Sequence, residues 1–225
     1  ELGEVFDEFA ADDSAWVAII TGAGDRAFSA GNDLKYTAEG SGELSAGATG
    51  FGGLTSRYDL NKPVIAAVNG VAMGGGFEIA LACDLIIASD QARFALPEPK
   101  VGLAALAGGM QRLPRQIGLK NAMGMLLTGR HVPAAEGQAL GFVNEVVPHA
   151  ELMDAARRWA AMILECAPLS VRASKQVAMQ SDAYSSLEEA NNARYSAIPT
   201  LVKSEDFIEG PRAFAEKRDP VWKGR

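Results

Sequence analysis

The hydrophobic positions follow two regimes along the chain. Short, continuous apolar runs punctuated by glycine occupy the first two thirds, and helical spacing takes over afterwards. Leu2, Val5, Phe6 and Phe9 stand at helical spacing with acidic residues between them, which predicts an amphipathic helix over 1–9 that stops near Asp12-Asp13. Trp16-Val17-Ala18-Ile19-Ile20 is an uninterrupted apolar run halted by Gly22, Gly24 and Asp25, the pattern of a strand buried on both faces. Runs at 64–68, ended by Asn69-Gly70, and at 85–88 read the same way. Between those two, Gly74-Gly75-Gly76 opens a helix that runs to Cys83, so strand, helix and strand alternate as in a layered α/β domain. Beyond Val147 the period is helical over 152–166, 170–180, 187–197 and 204–216. Residues 38–56 carry six glycines among Ser, Thr and Ala, which predicts a mobile loop or loosely formed helix suited to cover a pocket. No internal repeat is visible.

Composition narrows the field. The 225 residues, 48% hydrophobic and 22% charged with a mean hydropathy of +0.03, describe a folded globular protein with one large core. Twenty-one basic against 28 acidic side chains give a net charge of −7. Such a balance offers no footprint for nucleic acid or an anionic bilayer. The longest uncharged run, 63–77, has 15 residues with Asn69 and four glycines inside it, too short and polar for a membrane span. Cys83 and Cys166 are the only cysteines, and both are expected as reduced core residues. No secretory signal opens the chain, and a cytoplasmic location is expected.

Three segments are candidates for chemistry. The first amides of a helix have no partner within it and sit at its positive end, so Gly74-Gly75-Gly76 offers a place for an anion or oxyanion. Glu78, three residues after Gly75, shares that helical face. The same glycines would equally serve close packing of the helix on a sheet. In Leu96-Pro97-Glu98-Pro99 the prolines place Glu98 on a stiff non-helical segment, and two carboxylates facing one pocket can divide proton acceptance and donation. Phe28-Ser29-Ala30-Gly31-Asn32-Asp33-Leu34 is a turn able to offer a second backbone donor. Two lookalikes are weaker. Gly22-Ala23-Gly24-Asp25-Arg26-Ala27 fits the dinucleotide fingerprint, but no apolar helix follows it. Ala27-Phe28-Ser29-Ala30-Gly31 approaches a nucleophile elbow but lacks its first glycine, and His131 and His149 have no evident orienting partner. No cluster has metal-ligand spacing.

The chain resembles the crotonase (enoyl-CoA hydratase/isomerase) superfamily. The likeness is carried by Phe28-Ser29-Ala30-Gly31-Asn32-Asp33-Leu34, by Asn69-Gly70-Val71-Ala72-Met73-Gly74-Gly75-Gly76-Phe77-Glu78 and by Cys83-Asp84. Phe94-Ala95-Leu96-Pro97-Glu98, Gly108-Gly109-Met110-Gln111-Arg112-Leu113-Pro114, Leu127-Thr128-Gly129-Arg130 and the run from Glu209 to Arg218 extend it over nearly the whole chain. The resemblance implies an α/β fold, a ββα spiral over 1–147 that holds the active site, and a helical trimerisation region over 148–225. It implies an acyl-CoA thioester substrate, a homotrimer or dimer of trimers, and no cofactor beyond the coenzyme A of the substrate.

By motif match, the amides of Ala30 and Gly75 form the oxyanion hole, and Glu78 and Glu98 are the two acid/base residues of the hydratase pattern, 20 positions apart. The implied activity is enoyl-CoA hydration, with Glu98 exchanging the proton at Cα and Glu78 handling the water that attacks Cβ. Gly31, Asn32, Asp33, Leu34 and Lys35 are implied near the substrate and its nucleotide, and Phe214 and Lys217 near the coenzyme A of a neighbouring subunit. The segment 94–98 and the ending 204–225 especially resemble the carnitinyl-CoA dehydratases, an alternative activity; a non-catalytic acyl-CoA-binding homologue is another. The chain opens at what resembles the family's first helix, leaving coenzyme A contacts on that side unassigned. Ala105-Leu106-Ala107 replaces a Pro-Gly common among hydratases, and Asn32 a common small residue, so chain-length preference does not carry over.

Overall fold

The computed structural model describes residues 1–35 and 47–225. These fall into two compact units, one of Glu1–Ala11, Ile19–Arg57 and Val64–Arg158, the other of Asp12–Ala18, Tyr58–Pro63 and Trp159–Arg225.

The first unit is a spiral of strand pairs. After helix α1 (Leu2–Ala11), the strands are β1 (Ala18–Thr21), β2 (Ala27–Ser29), β3 (Val64–Val68), β4 (Val71–Met73), β5 (Leu85–Ser89), β6 (Arg93–Ala95), β7 (Val132–Pro133) and β8 (Glu145–Val147). They form two four-stranded sheets ordered β1-β3-β5-β8 and β2-β4-β6-β7. The first three pairs thus send their first strand to one sheet and their second to the other, and the last pair, β7 and β8, reverses that order. Helix α2 (Gly75–Ala82) follows the second pair, and α3 (Gly109–Ile117) follows the third after a 3-10 turn over Glu98–Val101. Helices α4 (Leu119–Leu126) and α5 (Ala134–Leu140) complete this part. The pairs β3·β5 and β4·β6 are parallel, and only β6·β7 is antiparallel among the pairs with a described register.

β3 lies between β1 and β5, and all five of its residues are buried, as an uninterrupted Val/Ile/Ala run requires. β1 departs from expectation. It begins at Ala18, past Trp16 and Val17, and is half-buried, with β3 its one neighbour among the described strands. Asn69 ties the turn between β1 and β2 to the end of β3. Its amide donates to the carbonyls of Gly22, Gly24 and Ala27 at 3.3, 3.0 and 3.2 Å, and its oxygen accepts from Gly22 N at 3.2 Å. Beneath α2, Phe77, Phe94 and Phe142 make a buried triangle with centroids 5.1–5.2 Å apart.

After Val147 the described chain is helical, as its period predicts: α6 (Leu152–Leu164), α7 (Pro168–Ser181), α8 (Leu187–Asn192), α9 (Ala197–Lys203) and α10 (Glu205–Glu216). The pattern over 187–197 predicts one helix, but the structure has a break. Ala193 is extended (ψ 160°), the Ala197 amide donates to Gln176 Oε1 at 2.8 Å, and the Tyr195 hydroxyl donates to Ala190 O at 2.8 Å. A side chain from α7 and the hydroxyl of Tyr195 thus take groups that a continuous helix would use. Cys166 is a second correction: it is exposed, two residues past the end of α6, whereas Cys83 is buried as expected. The predicted cover over 38–56 lies outside the described residues as far as 46, and from there on the chain forms turns and a 3-10 helix at Phe51–Gly53. Among the described residues no helix is long and apolar enough to cross a membrane.

Candidate active site

α2 begins where three glycines remove every side chain. Gly74 sits at φ 53°, a conformation that favours glycine, and its amide donates to Ala95 O at 3.0 Å, extending the β4·β6 pairing to the helix start. Gly75 is the first helical residue, so its amide has no partner four residues back. The chain leaving β2 comes close here. A Cβ on Gly31 (φ 85°) would lie 2.9 Å from Gly75 N, and one on Gly76 would overlap the Ser29 carbonyl. The glycines therefore let the helix pack tightly here while its first backbone amides stay bare of side chains.

A cleft of about 360 Å³ opens at this point. Ala30, Asn32 and Leu34 line it, with Gly74, Gly75 and Glu78 of the α2 start, Pro97 and Glu98, residues from the 47–56 segment including Phe51 and Thr55, and the apolar Val101, Leu103 and Leu106. The structure thus brings together four predicted catalytic positions, Ala30, Gly75, Glu78 and Glu98. Gly31 stands behind them against Gly75. Asp33 and Lys35 are exposed and outside the lining, with Asp33 Oδ1 accepting from the Lys35 amide at 2.9 Å. Phe214, 87% exposed, and Lys217, in the left-handed conformation at the end of α10, belong to the second unit.

Each carboxylate is held differently. Glu78 is 3% exposed, and its Oε1 accepts from the Gly109 amide at 2.8 Å, where α3 begins and its free amides point outward. Glu98 opens the 3-10 turn rather than lying on non-helical backbone. Pro99 is tolerated there because the first amides of a turn need no partner, and Gly102 closes it at φ 74°. Its Oε1 reaches over Gly74, 3.1 Å from where a Cβ would stand, and its buried Oε2 has no hydrogen-bond partner among the described residues.

Burial raises the Glu78 pKa, and the charge of Glu98 adds to this, against the lowering effect of the Gly109 and Ala107 amides and of Arg112. Burial also raises that of Glu98. Starting from the ordinary value of 4.5, the folded state therefore keeps protons that the unfolded chain has released, so stability falls as pH rises through the elevated values. Glu98→Gln should accordingly gain denaturation midpoint over the parent at pH 8 and lose that gain at pH 4. A variant less stable than the parent at pH 8 would contradict the sign.

Thr55 is 2% exposed, and its hydroxyl has no partner among the described residues. An orphaned buried hydroxyl destabilises a fold, so Thr55→Val should raise unfolding stability by about 1 kcal/mol in urea titration. A loss of that size would show an unseen partner.

The two lookalike motifs end here. Ala27 enters strand β2 rather than a helix, so the dinucleotide fingerprint over 22–27 has no helix start of its own to hold a pyrophosphate. His149 Nδ1 lies 3.3 Å from Ser89 Oγ, but Ser89 is fully buried, and neither residue lines the cleft.

A sequence model of the enoyl-CoA hydratase/isomerase family matches residues 1–225. The chain belongs to the enoyl-CoA hydratase/isomerase family. It is 51% identical over 230 residues to a carnitinyl-CoA dehydratase of Proteus mirabilis and 50% identical to one of Escherichia coli K12, covering all of this chain and 88% of each relative. Among solved structures it is similar to an enoyl-CoA hydratase of Mycobacterium tuberculosis H37Rv (TM-score 0.91, 39% identity) and to enoyl-CoA hydratase EchA1 of Mycobacterium marinum (TM-score 0.91, 40% identity). Both matches span the whole chain and 87% of the other. The two-sheet α/β architecture is that of these crotonase-fold proteins. Sequence reasoning assigned no role to Gly109 or Arg112, because the bonds they make span the fold and leave no local signature.

Proposed function

We propose that the protein is a hydro-lyase that adds water across the 2,3 double bond of a trans-2-enoyl-CoA thioester, or removes it in reverse. One observation carries this reading: Glu78 and Glu98 line the same cleft as the Gly75 amide at the bare start of α2. In the proposed reaction the thioester carbonyl accepts hydrogen bonds from the amides of Ala30 and Gly75. Each such donor is worth about 3–4 kcal/mol where an enolate oxygen develops. Glu78 takes a proton from water as its oxygen bonds to Cβ, and Glu98 delivers a proton to Cα, so a water is consumed and no electrons leave the substrate. Only protons and a water move, so the chemistry calls for no cofactor beyond the coenzyme A of the substrate. The pair titrates as a unit, and the proton is assigned to the pair.

Family resemblance supports a homotrimer or dimer of trimers with Phe214 and Lys217 contacting a neighbour's coenzyme A. The relatives named carnitinyl-CoA dehydratase favour a second reading, in which the acyl group is crotonobetainyl or carnitinyl. A panel of short to long 2-enoyl-CoA esters including crotonobetainyl-CoA, followed by loss of the conjugated thioester absorbance, separates the two. Turnover of alkyl esters supports the first reading, turnover confined to crotonobetainyl-CoA supports the second, and turnover of none refutes both.

A further inference from the structure

The cleft is walled by two segments distant in sequence, the 50–56 stretch and the loop over 103–107 that leads into α3. Arg112 reaches both. Its Nη2 donates to the Thr55 carbonyl at 2.8 Å and its Nη1 to the Ala107 carbonyl at 3.3 Å. It stands three residues after Gly109, so the guanidinium and the amide that holds Glu78 Oε1 issue from the same first turn of α3. The backbone is shaped around this side chain: Gly108 adopts φ 100°, and a Cβ there would overlap Arg112 Nη1.

We propose that Arg112 is a positioning residue for the Glu78 carboxylate, clipping the two cleft walls together through the Thr55 and Ala107 carbonyls and so holding the Gly109 amide on Glu78. The assignment rests on the reading of Glu78 as the group that handles water. A guanidinium suits the task because its planar fork reaches two carbonyls at once, whereas an ammonium is a point charge on a flexible stem. The charged groups that act on Glu78 are Glu98, from the 3-10 turn, and Arg112, from α3. Fork and charge are separable by substitution.

In Arg112→Lys the charge stays and the fork is lost. Its kcat for enoyl-CoA hydration should fall by at least ~10-fold with KM changed by less than about threefold, since the misplacement is of a reacting group. Its Gly109 amide should exchange with deuterium at least ~10-fold faster than in the parent. Arg112→Gln removes the charge as well, and should add an upward move of the acidic limb of the kcat/KM against pH profile, a change that loss of packing alone would not produce. A parental kcat in Arg112→Lys, or an unchanged exchange rate at Gly109, overturns the assignment. So does a lowered melting temperature with kcat and exchange at parental values, or failure of both variants to fold, either of which makes Arg112 a stability residue. A parent that turns over no enoyl-CoA ester refutes the hydratase reading instead, and the Gly109 exchange rate then still decides whether Arg112 holds that amide in place.

Discussion

Replacing Glu98 with glutamine is expected to lower kcat for enoyl-CoA hydration by about 10²–10⁴-fold while leaving KM nearly unchanged. The amide keeps the shape and cannot deliver a proton to Cα. Glu78→Gln should have an effect of the same order by a different route. Its amide oxygen can still accept from Gly109, so the side chain stays in place, but it no longer takes the proton of the attacking water. Because the two carboxylates act as a unit in one addition step, the double variant should be little worse than the worse single. Loss of thioester absorbance in steady-state assays gives kcat and KM for all three. Parental rates in both single variants would remove the mechanism.

Gly31→Ala should lower kcat by about 10²-fold and cost about 1–2 kcal/mol of stability. The stability term follows from the left-handed conformation of residue 31, which a Cβ disfavours. The catalytic term follows from distance. The added methyl would stand 2.9 Å from both Gly75 N and Met73 O, inside van der Waals contact with rigid backbone on each side. Ala30 and Gly75 must then move apart, and donors aimed at a developing oxyanion lose strength with small displacements. Denaturant titration and steady-state kinetics measure the two parts separately. A variant that loses stability yet hydrates substrate at the parental rate would show that the Ala30–Gly75 spacing does not matter to the reaction.

The parts of this fold that were legible in the sequence are those with a local cause. β3 occupies the predicted 64–68, since five apolar residues between Pro63 and Asn69 allow nothing else, and α2 opens where the glycines predict it. Residues 75 and 78 share a helical face by period alone, which is why half of the site could be read directly. β2, β4 and β6 went unread because three residues are too few to show a period, although they form the sheet that carries Ala30 and Glu98 to the cleft. Helices α3 to α5 went unread as well. Glu98 and Glu78 were expected to share a pocket from their residue types, and the family resemblance added their roles, but no local pattern brings them together: the pairing of β4 with β6 carries position 98 back to α2. The break between α8 and α9 was hidden because one of the groups it frees, the Ala197 amide, is taken by Gln176 on another helix.

The aromatic triangle beneath α2 has an evolutionary consequence. Phe77 points into that floor while its neighbour Glu78 points into the cleft, and Phe94 likewise sits four positions before Glu98 on the strand that leads to it. Foundation and reactive groups are thus adjacent in the chain yet independent in packing. The floor does not include either acid, so descendants of this scaffold can exchange an acid while keeping the aromatic support beneath the helix start. Positions 77, 94 and 142 should tolerate far less drift than positions 78 and 98.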